Sequence, residues 1–155
     1  MRAEPCELYR MIPESELNRV FKGTASAELG MDFLGFEMPY KVASLVVPKR
    51  GWTILDLGCG YAAQAYFFTA YKKYIGVDLR GPESMLRFTT WNTEMYIMRI
   101  QDFVAKYLSE LDLEHTFALC VAVPDKEAQD MIIREFPHHY VWYPGGINDL
   151  SFWNE

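Results

Sequence analysis

Two acids in this chain stand where chemistry can use them. Asp56 lies inside the apolar run Thr53-Ile54-Leu55-Asp56-Leu57, directly ahead of Gly58-Cys59-Gly60. Asp78 closes a second run, Tyr74-Ile75-Gly76-Val77-Asp78. A glycine pair at the end of a strand lets the backbone turn sharply without a Cβ clash and leaves bare peptide groups for a ligand. An acid about twenty residues further on can accept from two adjacent sugar hydroxyls, because a carboxylate presents two oxygens. It would also repel a 2′-phosphate. Strand, glycine turn, helix, strand, acid is a layout for holding a nucleotide.

Three further places carry candidate groups. Gln101-Asp102-Phe103 follows an apolar run, and Asp102 is also a natural N-cap for the helix expected there. Val121-Ala122-Val123-Pro124-Asp125 ends another run. Asp125 could accept a proton or hold a substrate, or it could cap the following helix; the cap is favoured. His138 and His139 could supply a general base near neutral pH. They precede a strand, at the edge of a parallel sheet opposite the active face, which favours surface or packing roles. Cys59 reads as a small loop residue rather than a nucleophile. No Cys or His spacing advertises a metal site.

The elements needed to position these groups are legible as alternating strands and helices. A helical lead-in occupies about residues 1–48, with one helix opening after Pro13 and a second over Tyr40 to Val47. Strand one is Thr53 to Leu57, followed by a crossover helix over Ala62 to Ala70. Strand two is Tyr74 to Asp78, and Gly81-Pro82 turns the chain into a short helix over Glu83 to Trp91. Strand three is expected at Tyr96 to Ile100, then a helix with Phe103, Val104, Tyr107, Leu108 and Leu111 as its buried stripe. Strand four, Phe117 to Val123, is apolar throughout, as a strand covered on both faces should be. A helix over Lys126 to Phe136 leads to strand five, His139 to Tyr143. Such alternation predicts a parallel sheet with right-handed crossovers and helices on both faces.

Length and composition set limits. With 155 residues, half of them hydrophobic, a single domain with a sizeable core is expected. The formal charge is −6, and no run of Lys and Arg exceeds two residues. This disfavours a nucleic-acid substrate. Charged residues in Met1 to Arg10 argue against a signal peptide. No stretch approaches the ~20 apolar residues of a membrane span. The three cysteines, Cys6, Cys59 and Cys120, are far apart and odd in number, so reduced thiols in a cytoplasmic protein are expected.

Asp56-Leu57-Gly58-Cys59-Gly60 together with Val77-Asp78 resembles the first two motifs of the S-adenosylmethionine-dependent methyltransferases with a Rossmann-like fold. The resemblance covers roughly Tyr40 to Tyr143. It implies a three-layer α/β/α sandwich with strand order 3-2-1-4-5. Only eleven residues follow Pro144, so the family's closing antiparallel strands should be reduced or absent. The cofactor implied is S-adenosylmethionine, with the helix behind the turn facing its amino-acid carboxylate. Gly58, Cys59 and Gly60 would lie against its amino-acid arm. Asp56 would orient the loop and reach towards the ammonium, or only cap the loop. Asp78 would hold the ribose, with Leu79 as an apolar face for adenine and Arg80 on the ribose rim or in solvent. Asp102 would accept from the adenine amino group, with Phe103 packing the ring. Val121 and Asp125 would stand at the methyl-facing tip of strand four. Asp125 is thus the one candidate for catalysis.

Against the family pattern, Ala62 stands where a third loop glycine is common. The strand-four tip has a single proline, unlike the amino-methylating DNA enzymes. The implied activity is methyl transfer to a small molecule or a protein side chain. The competing readings are a non-catalytic or structural relative, perhaps a partner subunit, and a nicotinamide oxidoreductase. The last suffers from Ala63 at the final glycine-like position. Residues near Phe33, Phe36 and Tyr40, with Tyr143, Pro144 and Asn148, would border the acceptor pocket. Strand five would be a sheet edge, covered by the tail with Phe152 and Trp153 or by a second copy in a homodimer.

Overall fold

A computed structural model describes residues 37–60, 62–79 and 90–151. The expectations at the helix after Pro13, Phe33, Phe36, Arg80, Gly81-Pro82, most of Glu83 to Trp91, Phe152 and Trp153 lie outside those residues. In chain order the elements are α1 (Glu37–Val46), β1 (Thr53–Leu57), β2 (Lys73–Asp78), β3 (Thr93–Ile97) and α2 (Ile100–Tyr107). There follow β4 (Thr116–Val121), α3 (Lys126–Glu135), β5 (His139–Trp142) and β6 (Asn148–Leu150). The sheet order is β3-β2-β1-β4-β5-β6. Every pairing is parallel except β5 with β6. This is a three-layer α/β architecture with a Rossmann-like strand order.

Alternation along the strands divides the core into two layers. On one face Ile54, Tyr74, Phe117, Leu119, Val121 and Tyr140 pack against Tyr40 and Ala43 of α1, against Val47 just after it, and against Ala65, Phe67 and Phe68. On the other, Leu55, Leu57, Ile75, Val77, Ala118, Cys120 and Val141 pack against Phe103 and Val104 of α2, Ile132 of α3 and Phe136 at its C-cap. All six residues of β4 are buried, which explains its unbroken apolar sequence.

Several expected elements are corrected. The β1–β2 crossover is a six-residue 3-10 helix, Ala63–Phe68, rather than an α-helix over Ala62 to Ala70. A 3-10 helix rises about 2.0 Å per residue against about 1.5 Å for an α-helix, so it spans the return path with fewer residues. Asn92 fixes its end by donating from Nδ2 to the Phe68 and Tyr71 carbonyls at 2.9 and 3.0 Å. So short an element carries a weaker dipole than the longer helix expected there. Strand three begins three residues earlier than expected; Met98 and Arg99 form the bend and Ile100 opens α2. Strand five is not an edge. The tail turns at Gly145, whose φ is 71°, and returns as β6. This removes the reason for expecting a second copy to cover β5. His139 takes a packing role: its ring joins the Phe136 carbonyl at 2.8 Å to Asp149 Oδ1 at 2.9 Å, tying β5 to β6.

Among the described residues, no helix is long and apolar enough to cross a membrane.

Candidate functional site

The turn after β1 is built from three residues with positive φ: Gly58 (88°), Gly60 (60°) and Ala62 (57°). Gly58 and Cys59 N–H both donate to the Val77 carbonyl, at 2.8 and 3.1 Å, which carries the β1–β2 ladder into the turn. The Gly60 N–H then donates to Asp78 Oδ2 at 2.9 Å. Asp78 is the last residue of β2 and half-buried; Leu79 beyond it is 63% exposed. Gly58, Cys59 and Gly60 are therefore hydrogen-bonded to Val77 and Asp78 at the carboxyl ends of two adjacent parallel strands.

Beneath the turn lies a buried polar cluster that only Asp56 announces in the sequence. Asp56 is fully buried on β1. Its Oδ2 accepts from Tyr74 Oη at 2.5 Å and from Gln64 Nε2 at 2.6 Å. Gln64 Nε2 also donates to the Cys59 carbonyl at 2.8 Å, so one amide pins both the acid and the glycine turn. Burial is the main influence on Asp56 and, against the opposing hydrogen bonds, raises its pKa from 3.8 to about 6. Asp56 Oδ1 and Gln64 Oε1 are buried without a hydrogen-bond partner. Gln64 and Tyr74 were missed as site residues. The available signal was physical: a carboxyl in a buried strand requires donors nearby.

Cys59 is 2% exposed, and burial pushes its thiol well above the ordinary range. A thiol so held is a poor nucleophile. Its place is made by Gly76 on β2, where a Cβ would come within 2.9 Å of Cys59 Sγ and of Met95 Sδ.

The other candidates gather on the opposite side of Gly58. A Cβ on Gly58 would collide with Val123 Cγ2 and lie 3.6 Å from Ile100 Cδ1. The β1 turn, the start of α2 and the segment after β4 thus converge on one glycine. Gln101 Nε2 donates to Asp125 Oδ2 at 2.9 Å, joining the first turns of α2 and α3. Asp125 caps α3, accepting from the Ala128 N–H at 3.2 Å. The Gln101 amide, followed by the Ala128 N–H, holds the Asp125 carboxyl below the usual range. A carboxylate so stabilised is a weak general base and better suited to holding a donor.

Asp102 does not cap α2. The helix begins at Ile100 with Arg99 as its N-cap, and Asp102 is exposed in the first turn. The next residue, Phe103, is 1% exposed and packs its ring 5.2 Å from Tyr96 and 5.0 Å from Tyr107. Val121 ends β4 and is 5% exposed in the core. Ala122 follows in the left-handed region at φ 59°, and its N–H donates to the Trp142 carbonyl at 2.8 Å. Strained backbone of this kind commonly accompanies sites where a strand end must be aimed.

His138 stays at the amino-terminal edge of the sheet, its ring 5.1 Å from Trp52. Among the described residues, no group of three or more His, Cys, Asp and Glu side chains is placed to hold a metal ion. The architecture is of the kind that nucleotide- and cofactor-binding proteins use, with the polar cluster and the glycine turn at the carboxyl ends of the strands. No model of a known protein family matches the chain, and comparison with curated proteins finds no match.

Proposed function

We propose that this chain is a single-domain S-adenosylmethionine-dependent methyltransferase acting on a small molecule or a protein side chain. The observation that carries the reading is the tie between Gly60 and Asp78. It sets a carboxylate beside bare glycine backbone at the carboxyl ends of β1 and β2, on the side of β1 away from β4.

The residues fit the cofactor's chemistry. Asp78 Oδ2 accepts from Gly60, and a carboxylate presents two acceptor oxygens, the chemistry that two adjacent ribose hydroxyls need. Asp56 Oδ1, a buried acceptor without a donor, suits the ammonium of the amino-acid arm. Gly58, Cys59 and Gly60 would support that arm through backbone. Leu79 and Asp102 would border the adenine, while Phe103 and Val121 support the floor from the core. When bound, the cofactor supplies an activated methyl on a sulfonium, so the chain's work is alignment and exclusion of water. Asp125 would hold and orient the acceptor.

One observation favours the second reading, a non-catalytic relative or partner subunit: Val123 covers Gly58, and Ile100 lies beside it. An amino-acid arm laid against Gly58 must displace Val123. Transfer of labelled methyl from S-adenosylmethionine to a panel of small-molecule and protein acceptors separates the readings. Label transferred to any acceptor, and lost on mutation of Asp78, supports the enzyme. Binding of S-adenosylhomocysteine with no transfer supports the second reading. Competition by NAD alone would contradict both.

A further inference from the structure

Asp56 and Gln64 leave an unusual remainder. A carboxyl group and a primary amide lying side by side make two hydrogen bonds: N–H to one carboxyl oxygen, and carboxyl O–H to the amide oxygen. The first is present here, Gln64 Nε2 to Asp56 Oδ2 at 2.6 Å. The atoms required for the second, Asp56 Oδ1 and Gln64 Oε1, are the two left buried without partners. Both are acceptors when Asp56 is ionised, so neither can satisfy the other. Turning the Gln64 amide over does not help, because Oε1 would then face Asp56 Oδ2 and the Cys59 carbonyl, both acceptors. A proton on Oδ1 would supply the donor that this pair of acceptors lacks.

We propose that in mildly acidic solution Asp56 and Gln64 share a proton when the glycine turn carries no ligand, and that a cationic ligand group reaching Asp56 expels it to solvent. The second half rests on the reading of the site as one for a ligand with an ammonium. The charge balances: a neutral acid–amide pair and a cation become a carboxylate–cation pair and one released proton.

The surroundings agree with a neutral acid. Within its own turn Asp56 faces Cys59. On its side of the sheet stand Tyr74 and Asp78 from β2 and Tyr40 from α1, while Cys120 of β4 lies in the opposite layer. Burial raises the Tyr40, Tyr74, Cys59 and Cys120 groups, so these stay neutral at pH 7. None of these neighbours is a cation, and burial lifts the Asp56 carboxyl itself from 3.8 to about 6.

Two measurements test the two halves. Carbon-13 NMR of carboxyl-labelled aspartate, with Asp56→Asn assigning the signal, follows Asp56 from pH 3 to 8. A midpoint near 6 is expected; ionisation complete by pH 4.5 would overturn the shared proton. Calorimetric titration with S-adenosylhomocysteine, in two buffers of different ionisation enthalpy, reads protons released on binding. Most of one proton is expected at pH 5.5 and almost none at pH 7.5. Apparent affinity should be about fourfold weaker at pH 5.5, where only about a quarter of the sites are ionised. Binding with no proton release at either pH would overturn the coupling while leaving the cofactor assignment standing. No binding at either pH would overturn the cofactor assignment and the coupling, while the NMR titration still decides the proton.

Discussion

The Gly60 amide donates to Asp78 Oδ2 at 2.9 Å, across 18 residues of sequence. This single bond joins the glycine turn after β1 to the acid that ends β2, and it fixes the distance between the two parts of the candidate site. A charge-assisted hydrogen bond of this kind contributes about 1.5–3 kcal/mol. The turn is therefore held in shape by the protein before any ligand arrives.

Asp56 should make stability fall as pH rises. Its folded pKa, about 6, lies above its ordinary value of 3.8. The folded state then binds more protons than the unfolded state between those two values. The contribution is fully present below about pH 3.8 and is lost as pH rises through about 6. The displacement corresponds to about 3 kcal/mol. Asp56→Asn mimics the protonated acid, since an asparagine Nδ2 can donate to Gln64 Oε1. The variant should match or exceed the wild type in denaturant stability at pH 7.5 and approach it at pH 4.5. A variant less stable than wild type at pH 7.5 would contradict a buried acid held near neutrality.

Gly76→Ala should destabilise the protein by about 1–3 kcal/mol through overpacking. The added Cβ would lie 2.9 Å from both Cys59 Sγ and Met95 Sδ. Met95 is flexible and can yield, whereas Cys59 is fixed inside the turn. Adding Cys59→Ala to Gly76→Ala should recover part of the loss. A double-mutant cycle with no coupling would show that the turn does not rest on β2 at this point.

Val123→Ala should weaken folding by about 1 kcal/mol. It should also tighten S-adenosylhomocysteine binding severalfold, because Val123 covers the face of Gly58 that a ligand would use. Equal affinity in the variant, by calorimetry, would mean that the ligand does not displace this side chain.

Much of this was legible in the chain because the strongest signals are local. Four of the five parallel strands fall within a few residues of their apolar runs, and Gly58 and Gly60 adopt the positive φ that the turn requires. The misplacements have a common cause, which is that tertiary context decided them. Strand three lies at the edge and is only half-buried, so the apolar Met98 and Ile100 drew the expected boundary past its true end. β6 is three residues long with one buried apolar residue, Leu150, and exists because β5 offers it an edge. Gln64 lies in an aromatic stretch that reads as helix, and nothing local marks it as the partner of Asp56. Only the need to satisfy a buried carboxyl connects them. Asp102 looked like a cap because of its type, yet the helix starts two residues earlier, after Arg99.

The most direct measurement is a calorimetric titration of S-adenosylhomocysteine into the wild-type chain and into Asp78→Ala, with circular dichroism verifying that both are folded. One saturable site in the wild type, weakened about tenfold or more in the variant, equivalent to about 1.4 kcal/mol or more, is the expected result. No binding by the wild type, or the same dissociation constant in both, would contradict the placement of a nucleoside at Asp78.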